Sequence, residues 1–355
     1  MVSGVHLIGS IPLPDSASTF EYVAKSLPEG TVKSIPDGET GARFFFVQWN
    51  RRFFPENVLM NTIQPDGWHS FSDQEVAQVM SKFPGVDSQY DVEAIKSYKV
   101  FKELRDQGVI PKGVKFQACI PTPDNFIGSN IEPDLQAPIA PLYEQALIEN
   151  IKNIQKAIAH AQLAIQLDMA ADFCILHGQW YPMILGPIKY IDQKAGKDVL
   201  MPMLVDKIVR MAQAVEEDVE FGLHLCYGDA GKKHFIEPPD TTMLSEYLLQ
   251  ILAKLTRPLN FVHFPVPKNR LDEAYLEPFR DIVLAKLDPR TEIYVGLVHA
   301  NELEGTLKRI KVAKKVLGRD FGIATECGIG RRDGKELDAI FDVKRSVLGE
   351  SKTML

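Results

Sequence analysis

The sequence predicts an α/β protein built as a single (β/α)8 TIM barrel, with an insertion after the second strand. Two observations favour this fold over an open, doubly wound sheet. Short apolar runs alternate with longer amphipathic stretches along the chain, a pattern typical of parallel strands joined by crossover helices. In addition, no G-x-G-x-x-G follows the first apolar run, so the dinucleotide-binding fingerprint of open sheets is missing and no nucleotide cofactor is expected.

Eight apolar runs are the candidate barrel strands. In chain order they are Val5–Ile8, Val32–Ile35, Val114–Ala118, Phe173–Leu176, Val219–His224, Leu259–Val262, Ile293–Val298 and Phe321–Ala324. Right-handed crossover connections would close eight such strands into a barrel.

Two of the intervening stretches carry a helical repeat. Apolar residues recur every three or four positions from Leu147 to Ile165, and again from Leu303 to Leu317. Asn301 is the predicted N-cap of the second helix, Glu304 stands at its capping-box position, and Gly318 is predicted to end it. Both stretches are therefore predicted crossover helices.

The span from 51 to 112 is too long for one loop and one helix. We interpret it as an insertion that covers the catalytic face of the barrel. The predicted organisation is one domain over residues 1–355, with 51–112 as its cap.

The charge of the chain excludes several classes of partner. Its 40 Lys and Arg residues against 47 Asp and Glu residues give a net charge of −7, so no basic surface for nucleic acid or an anionic membrane is expected. No stretch reaches the roughly 18 apolar residues of a membrane helix, and the first residues lack the basic and apolar regions of a secretory signal. We expect a cytoplasmic protein that acts on a small molecule.

The four cysteines are too few and too widely spaced for a disulfide framework in a reducing compartment. Cys119 and Cys174 lie in apolar surroundings along the chain, and we interpret them as buried hydrophobic residues. Cys226 and Cys327 follow predicted strands, where metal-binding or catalytic thiols are expected.

Barrel enzymes place their active sites where the strands end. His224 and Cys226 are alternate residues of one extended segment, so their side chains point the same way. Cys327, after the eighth strand, adds a second thiol. Two thiolates and one imidazole favour zinc, with a fourth position left for another ligand or for the substrate.

Other polar residues at strand ends leave two interpretations open. Glu39 is either a solvated turn residue or a substrate contact, and His263 is either a metal ligand or a hydrogen-bonded core histidine. Asp229 and His234 either reach the metal or stabilise a loop. The remaining candidates at strand ends are Ser10, Asp37, His177 and His299.

Four segments resemble, in the same order, motifs of the catalytic barrel of cobalamin-independent methionine synthase. They are Ile8–Pro12, Asp37–Glu39 with Arg43, His224–Tyr227, and Glu326–Ile329 with Arg331. The resemblance extends loosely over nearly the whole chain. It implies zinc ligation by His224, Cys226 and Cys327, and contacts of Ser10 and Glu39 with the amino-acid part of homocysteine.

Three departures from these motifs imply a different substrate. Where the family has a zinc-ligating Glu after the sixth strand, this chain has Phe261–Phe264, which makes His263 the candidate fourth ligand. Leu176–Trp180 replaces the Asp-Glu-Pro motif after the fourth strand, and the 355 residues hold no N-terminal barrel like that of the long methionine synthases. We therefore expect a short paralogue, of the kind loosely named uroporphyrinogen decarboxylase/methionine synthase-like, and not a housekeeping methionine synthase.

The fourth-strand replacement also predicts the character of the ligand. Gln179 and Trp180 offer a neutral hydrogen-bonding group and an aromatic face instead of an anion. Because a buried ammonium needs a counter-charge, a neutral or anionic, aromatic metabolite is predicted, with Glu39 as the one argument for a cationic group.

Three classes of function are consistent with these residues. The leading prediction is zinc-dependent transfer of a methyl or other alkyl group onto or off a thiol, with His177 or His299 moving protons. The alternatives are a lyase, decarboxylase or hydrolase of a small carboxylated or aromatic metabolite, with Arg43 at the barrel mouth, and a non-catalytic barrel that binds a ligand. A metal assay separates the first class from the others.

Overall fold

The computed structural model describes residues 2–60, 70–179, 187–229 and 234–353, in which eight parallel strands form one sheet. The strands are β1 (Val2–Val5), β2 (Ser34–Pro36), β3 (Lys115–Pro121), β4 (Leu163–Met169), β5 (Glu220–Leu225), β6 (Phe261–Pro265), β7 (Glu292–Val298) and β8 (Phe321–Thr325). They follow the order β1-β8-β7-β6-β5-β4-β3-β2, and a bridge between Val5 and Val32 joins β1 to the segment leading into β2. The sheet curls round on itself, so the predicted TIM-barrel-like fold is confirmed.

Helices alternate with the strands. The described ranges contain α1 (Ser16–Ser26), α2 (Phe46–Asn50), α3 (Asp73–Ser81), α4 (Tyr90–Asp106), α5 (Asp124–Asn130), α6 (Gln136–Ala157), α7 (Ala171–Leu176), α8 (Lys197–Gln213), α9 (Thr242–Lys254), α10 (Leu303–Leu317) and α11 (Gly334–Thr353). A π-helical segment, Phe279–Leu284, lies between β6 and β7. None of the helices in these ranges is long and apolar enough to cross a membrane.

Seven of the eight predicted runs overlap an observed strand, and the fourth is wrong. Phe173–Leu176 belongs to helix α7, and the fourth strand is Leu163–Met169. Both segments are almost completely buried, and a short buried helix presents the same apolar run as a buried strand, so periodicity alone did not distinguish them. The fourth strand therefore ends at Asp168 and Met169, not at His177.

The predicted helix boundaries are partly correct. The repeat predicted through Ile165 is too long, because α6 ends at Ala157. Helix α10 has the predicted range and ends at Gly318, whose φ of 61° is the left-handed conformation that favours glycine. The predicted N-cap is displaced by one residue, since Glu302 directly precedes the helix and Asn301 has a φ of 58°.

The span from 51 to 112 includes helices α3 and α4. Helix α4 packs against α1, α6 and β3, which is the position of a crossover helix between β2 and β3. That 51–112 forms a cap over the catalytic face of a single domain stays a prediction.

Aromatic rings in the barrel lie opposite strand glycines. Phe261 of β6 pairs with Gly222 of β5, and Tyr294 of β7 pairs with Gly322 of β8. Both rings are buried, and their centroids lie 4.9 and 4.8 Å from that of His6. A Cβ added at Gly322 would lie 2.3 Å from the Tyr294 ring. The glycines therefore provide the space that the aromatic rings occupy.

We expect Gly322→Ala to lower the free energy of unfolding by about 1 to 3 kcal/mol, the usual cost of overpacking a core. The added methyl group must displace the Tyr294 ring, which is already in contact with His6. Urea unfolding followed by circular dichroism measures the change. Gly113→Ala is the control, since a Cβ there meets no atom within 4 Å; an equal loss in that variant would contradict the explanation by crowding.

Candidate functional site

One cavity at the ends of the strands, called the main cavity below, brings together predicted site residues from several strands. Its lining includes Ser10 after β1, Glu39 after β2, Asp168 on β4, His224 and Cys226 at the end of β5, and Cys327 after β8. The carboxyl ends of parallel strands meet at one face of a barrel, which brings together residues that are far apart in the sequence.

His224, Cys226 and Cys327 form a cluster that is able to hold a metal ion. One potential ligand atom of each lies within 4.8 Å of the others, and the two sulfurs are 3.5 Å apart. Nε2 of His224 is buried and has no hydrogen-bond partner among the described residues. A ring nitrogen free to coordinate, beside two thiols, fits the donor set of zinc, and these are the three ligands predicted from the sequence.

The two cysteines of this cluster differ in their protonation. The Cys226 S–H donates to Cys327, which raises the pKa of Cys226 well above its usual value and lowers the pKa of Cys327 well below it. Burial opposes ionisation of Cys327, whereas the nearby His224 and the positive charge of Arg331 favour its thiolate. These opposite shifts favour a thiolate at Cys327 and a thiol at Cys226, and a metal that binds both sulfurs would displace the remaining proton.

His263, the predicted fourth ligand, packs against His224 and does not join the cluster. Nδ1 of His263 lies 2.7 Å from Nδ1 of His224, and its Nε2 lies 3.0 Å from the carbonyl oxygen of Thr325. Both ring nitrogens of His263 are therefore engaged. The two histidines are direct partners in the register of β5 and β6, and this register keeps the His263 ring inside the barrel. The prediction of a fourth ligand does not fit these contacts.

A second cluster consists of Glu39, Asp168 and Cys119, with potential ligand atoms within 4.8 Å of one another. Burial raises the pKa of Glu39 to about 7, with a further contribution from the charge of Asp37. Burial and the nearby Glu39 also raise the pKa of Asp168 well above its usual value. The acidic group expected to be missing after the fourth strand is thus present, so the prediction of a site without that anion is wrong. The prediction failed because it placed the fourth strand at Phe173–Leu176 and not at Leu163–Met169.

A turn after β2 positions Glu39. Gly38 and Glu39 have φ values of 83° and 46°, a region that glycine adopts readily and that costs energy for glutamate. The Asp37 carboxylate accepts the Glu39 N–H at 2.9 Å and forms an ion pair with Arg43 at 2.8 Å. Asp37 and Arg43 therefore stabilise the turn, and neither lines the main cavity, unlike the substrate contacts predicted for them.

We expect Glu39→Gln to raise the free energy of unfolding by about 3 kcal/mol relative to the wild type at pH 8, and to change it little at pH 4.5. Folding raises the pKa of Glu39 from 4.5 to about 7. The folded protein thus binds this proton more tightly than the unfolded chain, so stability falls as pH rises between these two values. Glutamine does not titrate and removes that loss. Urea unfolding at both pH values is the measurement, and an equal difference from the wild type at both would contradict the prediction.

Ser10 lies where the loops after β1 and β8 meet. Its Oγ accepts the Gly330 N–H at 3.1 Å, and its carbonyl oxygen accepts the Ile329 N–H at 2.8 Å. A Cβ added at Gly330 would lie 2.6 Å from Cβ of Ser10, so glycine is needed for this close approach. The loops hold Ser10 at the cavity wall, where the sequence places a substrate contact.

A second, polar cavity next to Cys327 contains a carboxylate between two histidines. Glu326 lies 2.8 Å from Nε2 of His234 and 3.2 Å from Nδ1 of His299. Burial raises the pKa of Glu326, but the hydrogen bonds from the histidines outweigh burial and lower it to about 2. Burial lowers the pKa of His234, but Glu326 outweighs this effect and raises it to about 9. His299, a predicted proton carrier, thus lies beside the cluster of His224, Cys226 and Cys327, called the thiol cluster below, and is paired with an ionised carboxylate.

Asp229 and His234 stabilise the loop after β5. Asp229 forms an ion pair with Arg331 at 3.1 Å, and Nδ1 of His234 lies 2.9 Å from the carbonyl oxygen of Gly228. Neither belongs to a metal-binding cluster in the described part of the chain. Asp229 also lines the main cavity, so the choice between a metal contact and a loop contact stays a prediction for this residue.

The residues predicted at the fourth strand end do not reach the main cavity. His177 follows helix α7 and is absent from the cavity lining, and Gln179 is exposed. Trp180 lies outside the described residues. His177 therefore does not have the position of a proton carrier, because a helix and not a strand precedes it.

Asn125 is a residue of this site that the sequence analysis missed. Its Nδ2 donates to the carbonyl oxygen of Asp168 at 2.8 Å, and its Oδ1 accepts the Ala171 N–H at 2.8 Å. It thereby fixes the backbone that carries Asp168.

A signal for Asp168 exists in the sequence, since it is the acidic residue near the end of the apolar run Leu163–Met169.

Phenylalanines line the main cavity beside its polar residues. They are Phe45, Phe46 and Phe235, from the segments after β2 and β5. No periodic pattern marks these segments as part of a site, so the sequence held no signal for them. The cavity therefore combines an apolar lining with one thiol cluster and one acidic cluster.

Comparisons with known proteins bear on the fold. No protein-family model matches the chain, and no curated protein sequence matches it. The structure of a "putative vitamin-B12 independent methionine synthase" from Listeria monocytogenes is similar over 96% of this chain and 87% of that chain, with a TM-score of 0.50 and 15% identity. A B12-independent methionine synthase from Shewanella sp. W3-18-1, in complex with selenomethionine, matches over 74% of this chain and 68% of that chain, with a TM-score of 0.45 and 14% identity. The first of these likenesses shows that the chain has the barrel fold implied by the resemblance of its motifs to methionine synthase.

Proposed function

We propose that the protein is a zinc-dependent transferase that moves a methyl or other alkyl group onto or off the thiol of a small, amino-acid-like substrate. The observation that carries the proposal is that His224, Cys226 and Cys327 line the same cavity as Glu39 and Asp168. The first cluster suits a metal ion that binds sulfur, and the second suits an ammonium group. A substrate that contains both a thiol and an ammonium matches the two clusters at once.

Nε2 of His224 and the sulfurs of Cys226 and Cys327 would hold the zinc, which leaves a fourth coordination position for the substrate sulfur. Bound zinc supplies the charge that keeps a substrate thiol ionised, and so nucleophilic, at neutral pH. Two features support this role: the pKa of Cys327 is lowered, and Nε2 of His224 has no hydrogen-bond partner among the described residues.

Glu39 and Asp168 would bind the ammonium group. Both buried carboxyl groups have raised pKa values, since the charges of Arg43 and Arg331 lower the pKa of Glu39 less than burial raises it, and a cation between the two carboxyl groups would supply further neutralisation. The Ser10 hydroxyl is placed to hydrogen-bond a polar end of the substrate, and the phenylalanine lining would exclude water. This proposal replaces the neutral or anionic aromatic ligand predicted from the sequence. That prediction assumed that no acidic side chain lies at the end of the fourth strand.

His299, which lines the adjoining polar cavity together with Cys327, would give or take the proton that accompanies alkyl transfer. Its Nδ1 lies beside the ionised Glu326, while its Nε2 is buried and has no hydrogen-bond partner within the described ranges. A carboxylate that orients one ring nitrogen and leaves the other for the substrate is the usual arrangement of a general acid or base. Proton transfer of this kind typically contributes about 10²- to 10⁴-fold to a rate.

A hydrolase or lyase is the second candidate. One neutral histidine and two thiolates would give the metal site no net charge, and a neutral site is a stronger Lewis acid than one with an additional carboxylate. The cluster of Glu326 with His234 and His299 next to Cys327 would then serve as the acid or base.

Metal content and ligand preference test the proposal together. Protein purified without added metal is expected to contain about one zinc per chain. The cobalt-substituted protein is then titrated with homocysteine and with 4-mercaptobutyrate, which has the same thiol and carboxylate but no ammonium. We expect both thiols to change the cobalt absorption spectrum, and homocysteine to bind about 10- to 100-fold more tightly, as expected for charge-assisted hydrogen bonds. A protein that binds neither metal nor thiol would overturn the proposal, and one that binds metal but no thiol would favour the hydrolase.

A further inference from the structure

The barrel interior contains a pair of hydrogen-bonded histidines beside the thiol cluster. His224 and His263 are 2% and 0% exposed, and their Nδ1 atoms are 2.7 Å apart. The two outer nitrogens of the pair differ. Nε2 of His263 lies 3.0 Å from the carbonyl oxygen of Thr325, whereas Nε2 of His224 has no partner in the part of the chain that the structure describes.

These contacts determine which nitrogen carries each proton. A carbonyl oxygen only accepts hydrogen bonds, so Nε2 of His263 carries a hydrogen. His263 is fully buried, and its hydrogen-bonding neighbours are His224 and a carbonyl, so a positive charge on its ring would be costly. The neutral ring has its lone pair on Nδ1, and the short contact is satisfied when Nδ1 of His224 donates to it. When the His224 ring is also neutral, its lone pair is then on Nε2.

We infer that His263 is a positioning residue that holds His224 in the tautomer whose Nε2 lone pair is available to a metal ion bound by Cys226 and Cys327. The inference rests on the proposed function, in that the thiol cluster holds zinc. Metal-binding histidines usually donate their second N–H to a carboxylate, a carbonyl or water, and here a neutral imidazole takes that place. The protein then supplies three ligands, and the fourth position stays open to the substrate.

Nuclear magnetic resonance of the metal-free protein tests the tautomer directly. Long-range ¹H–¹⁵N spectra of the full chain labelled with ¹⁵N-histidine distinguish protonated from unprotonated ring nitrogens. We expect hydrogen on Nδ1 of His224 and on Nε2 of His263, with assignments from the loss of signals in single-histidine variants. Hydrogen on Nε2 of His224, or an equal mixture of its tautomers, would overturn the inference. This measurement does not depend on zinc binding.

Three variants separate the two hydrogen bonds of His263. In His263→Asn, the side-chain oxygen takes the place of Nδ1 and can accept a hydrogen bond from His224. In His263→Gln, the amide nitrogen takes the place of Nε2 and can donate a hydrogen bond to the carbonyl oxygen of Thr325. His263→Leu makes neither hydrogen bond. Zinc affinity is measured by competition with a chromogenic chelator. We expect the Asn variant to stay within about 3-fold of the wild type, and the Gln and Leu variants to bind about 10- to 100-fold more weakly, the usual effect of losing such a partner.

His6→Asn is the matched control, because His6 is another buried barrel histidine, bonded to Gln166 and not to His224. Thermal unfolding of the metal-free variants measures any loss of folding. If His263 has a purely structural role, zinc affinity should follow thermal stability, and His263→Asn should bind zinc as weakly as His263→Leu. That result would overturn the inference. Wild-type zinc affinity in His263→Leu would also overturn it. A wild-type protein with the expected tautomers but no zinc affinity would refute the proposed function and leave the assigned tautomer standing.

Discussion

Cys226→Ser is expected to weaken zinc binding by more than about 100-fold. This is a larger effect than the 10- to 100-fold loss caused by removing a residue that only hydrogen-bonds to a metal ligand. A serine hydroxyl does not ionise near neutral pH and is a poor ligand for zinc, so the variant would leave His224 and Cys327 as the remaining ligands. Chelator competition and elemental analysis measure the loss, and binding of thiols to the cobalt-substituted site should disappear with it.

Cys174→Ala is the control for this variant. Cys174 is a buried thiol in helix α7 and is not part of either metal-capable cluster in the described ranges. The control is expected to keep about one zinc per chain with wild-type affinity. If Cys226→Ser also kept one tightly bound zinc, the metal would have to lie elsewhere, and the proposed site would be wrong.

Asp168→Asn is expected to weaken homocysteine binding by about 100-fold or more, since breaking a buried ion pair costs about 3 to 5 kcal/mol. Asparagine has nearly the same shape but no charge, so the substrate ammonium would lose one of its two counter-charges. The zinc content should not change, because Asp168 is outside the thiol cluster. Titration of the cobalt-substituted protein measures the affinity.

The ligand without an ammonium is the control for this prediction. Affinity for 4-mercaptobutyrate should be unchanged or higher in Asp168→Asn, because that ligand places no positive charge near the acidic cluster. In the wild type, homocysteine should bind more tightly as pH rises through about 7, where Glu39 loses its proton. An equal loss of affinity for both thiols would show that Asp168 acts on the structure of the site and not on the ammonium.

Much of the fold could be predicted from the sequence, because strand and helix periodicity is a local property. Seven apolar runs overlap observed strands, and helix α10 has its predicted range and its glycine stop. The failure at Phe173–Leu176 has a physical cause. A segment buried on all sides is apolar at every position, so its periodicity does not distinguish the short helix α7 from strand β4.

That one error accounts for most of the errors about the site. A prediction with the fourth strand displaced puts His177 and Gln179 at the cavity and omits Asp168. The true strand ends at Asp168 and Met169, and its side chains reach the same cavity as Glu39. The expected substrate changes accordingly from a neutral or anionic molecule to one with an ammonium group.

Sequence alone predicts the residue types of the candidate site and most of the strand ends that carry them, including His224, Cys226 and Cys327. Those assignments need only the order of residues along the chain and the convergence of parallel strand ends. The tertiary structure alone decided what each side chain contacts. His263 is a metal ligand in the sequence-based prediction, but in the structure it is a hydrogen-bond partner of His224. Asp168 is absent from that prediction, but in the structure it belongs to the cluster with Glu39. The reason is that contacts across a barrel depend on the register between neighbouring strands, which no single segment of sequence specifies.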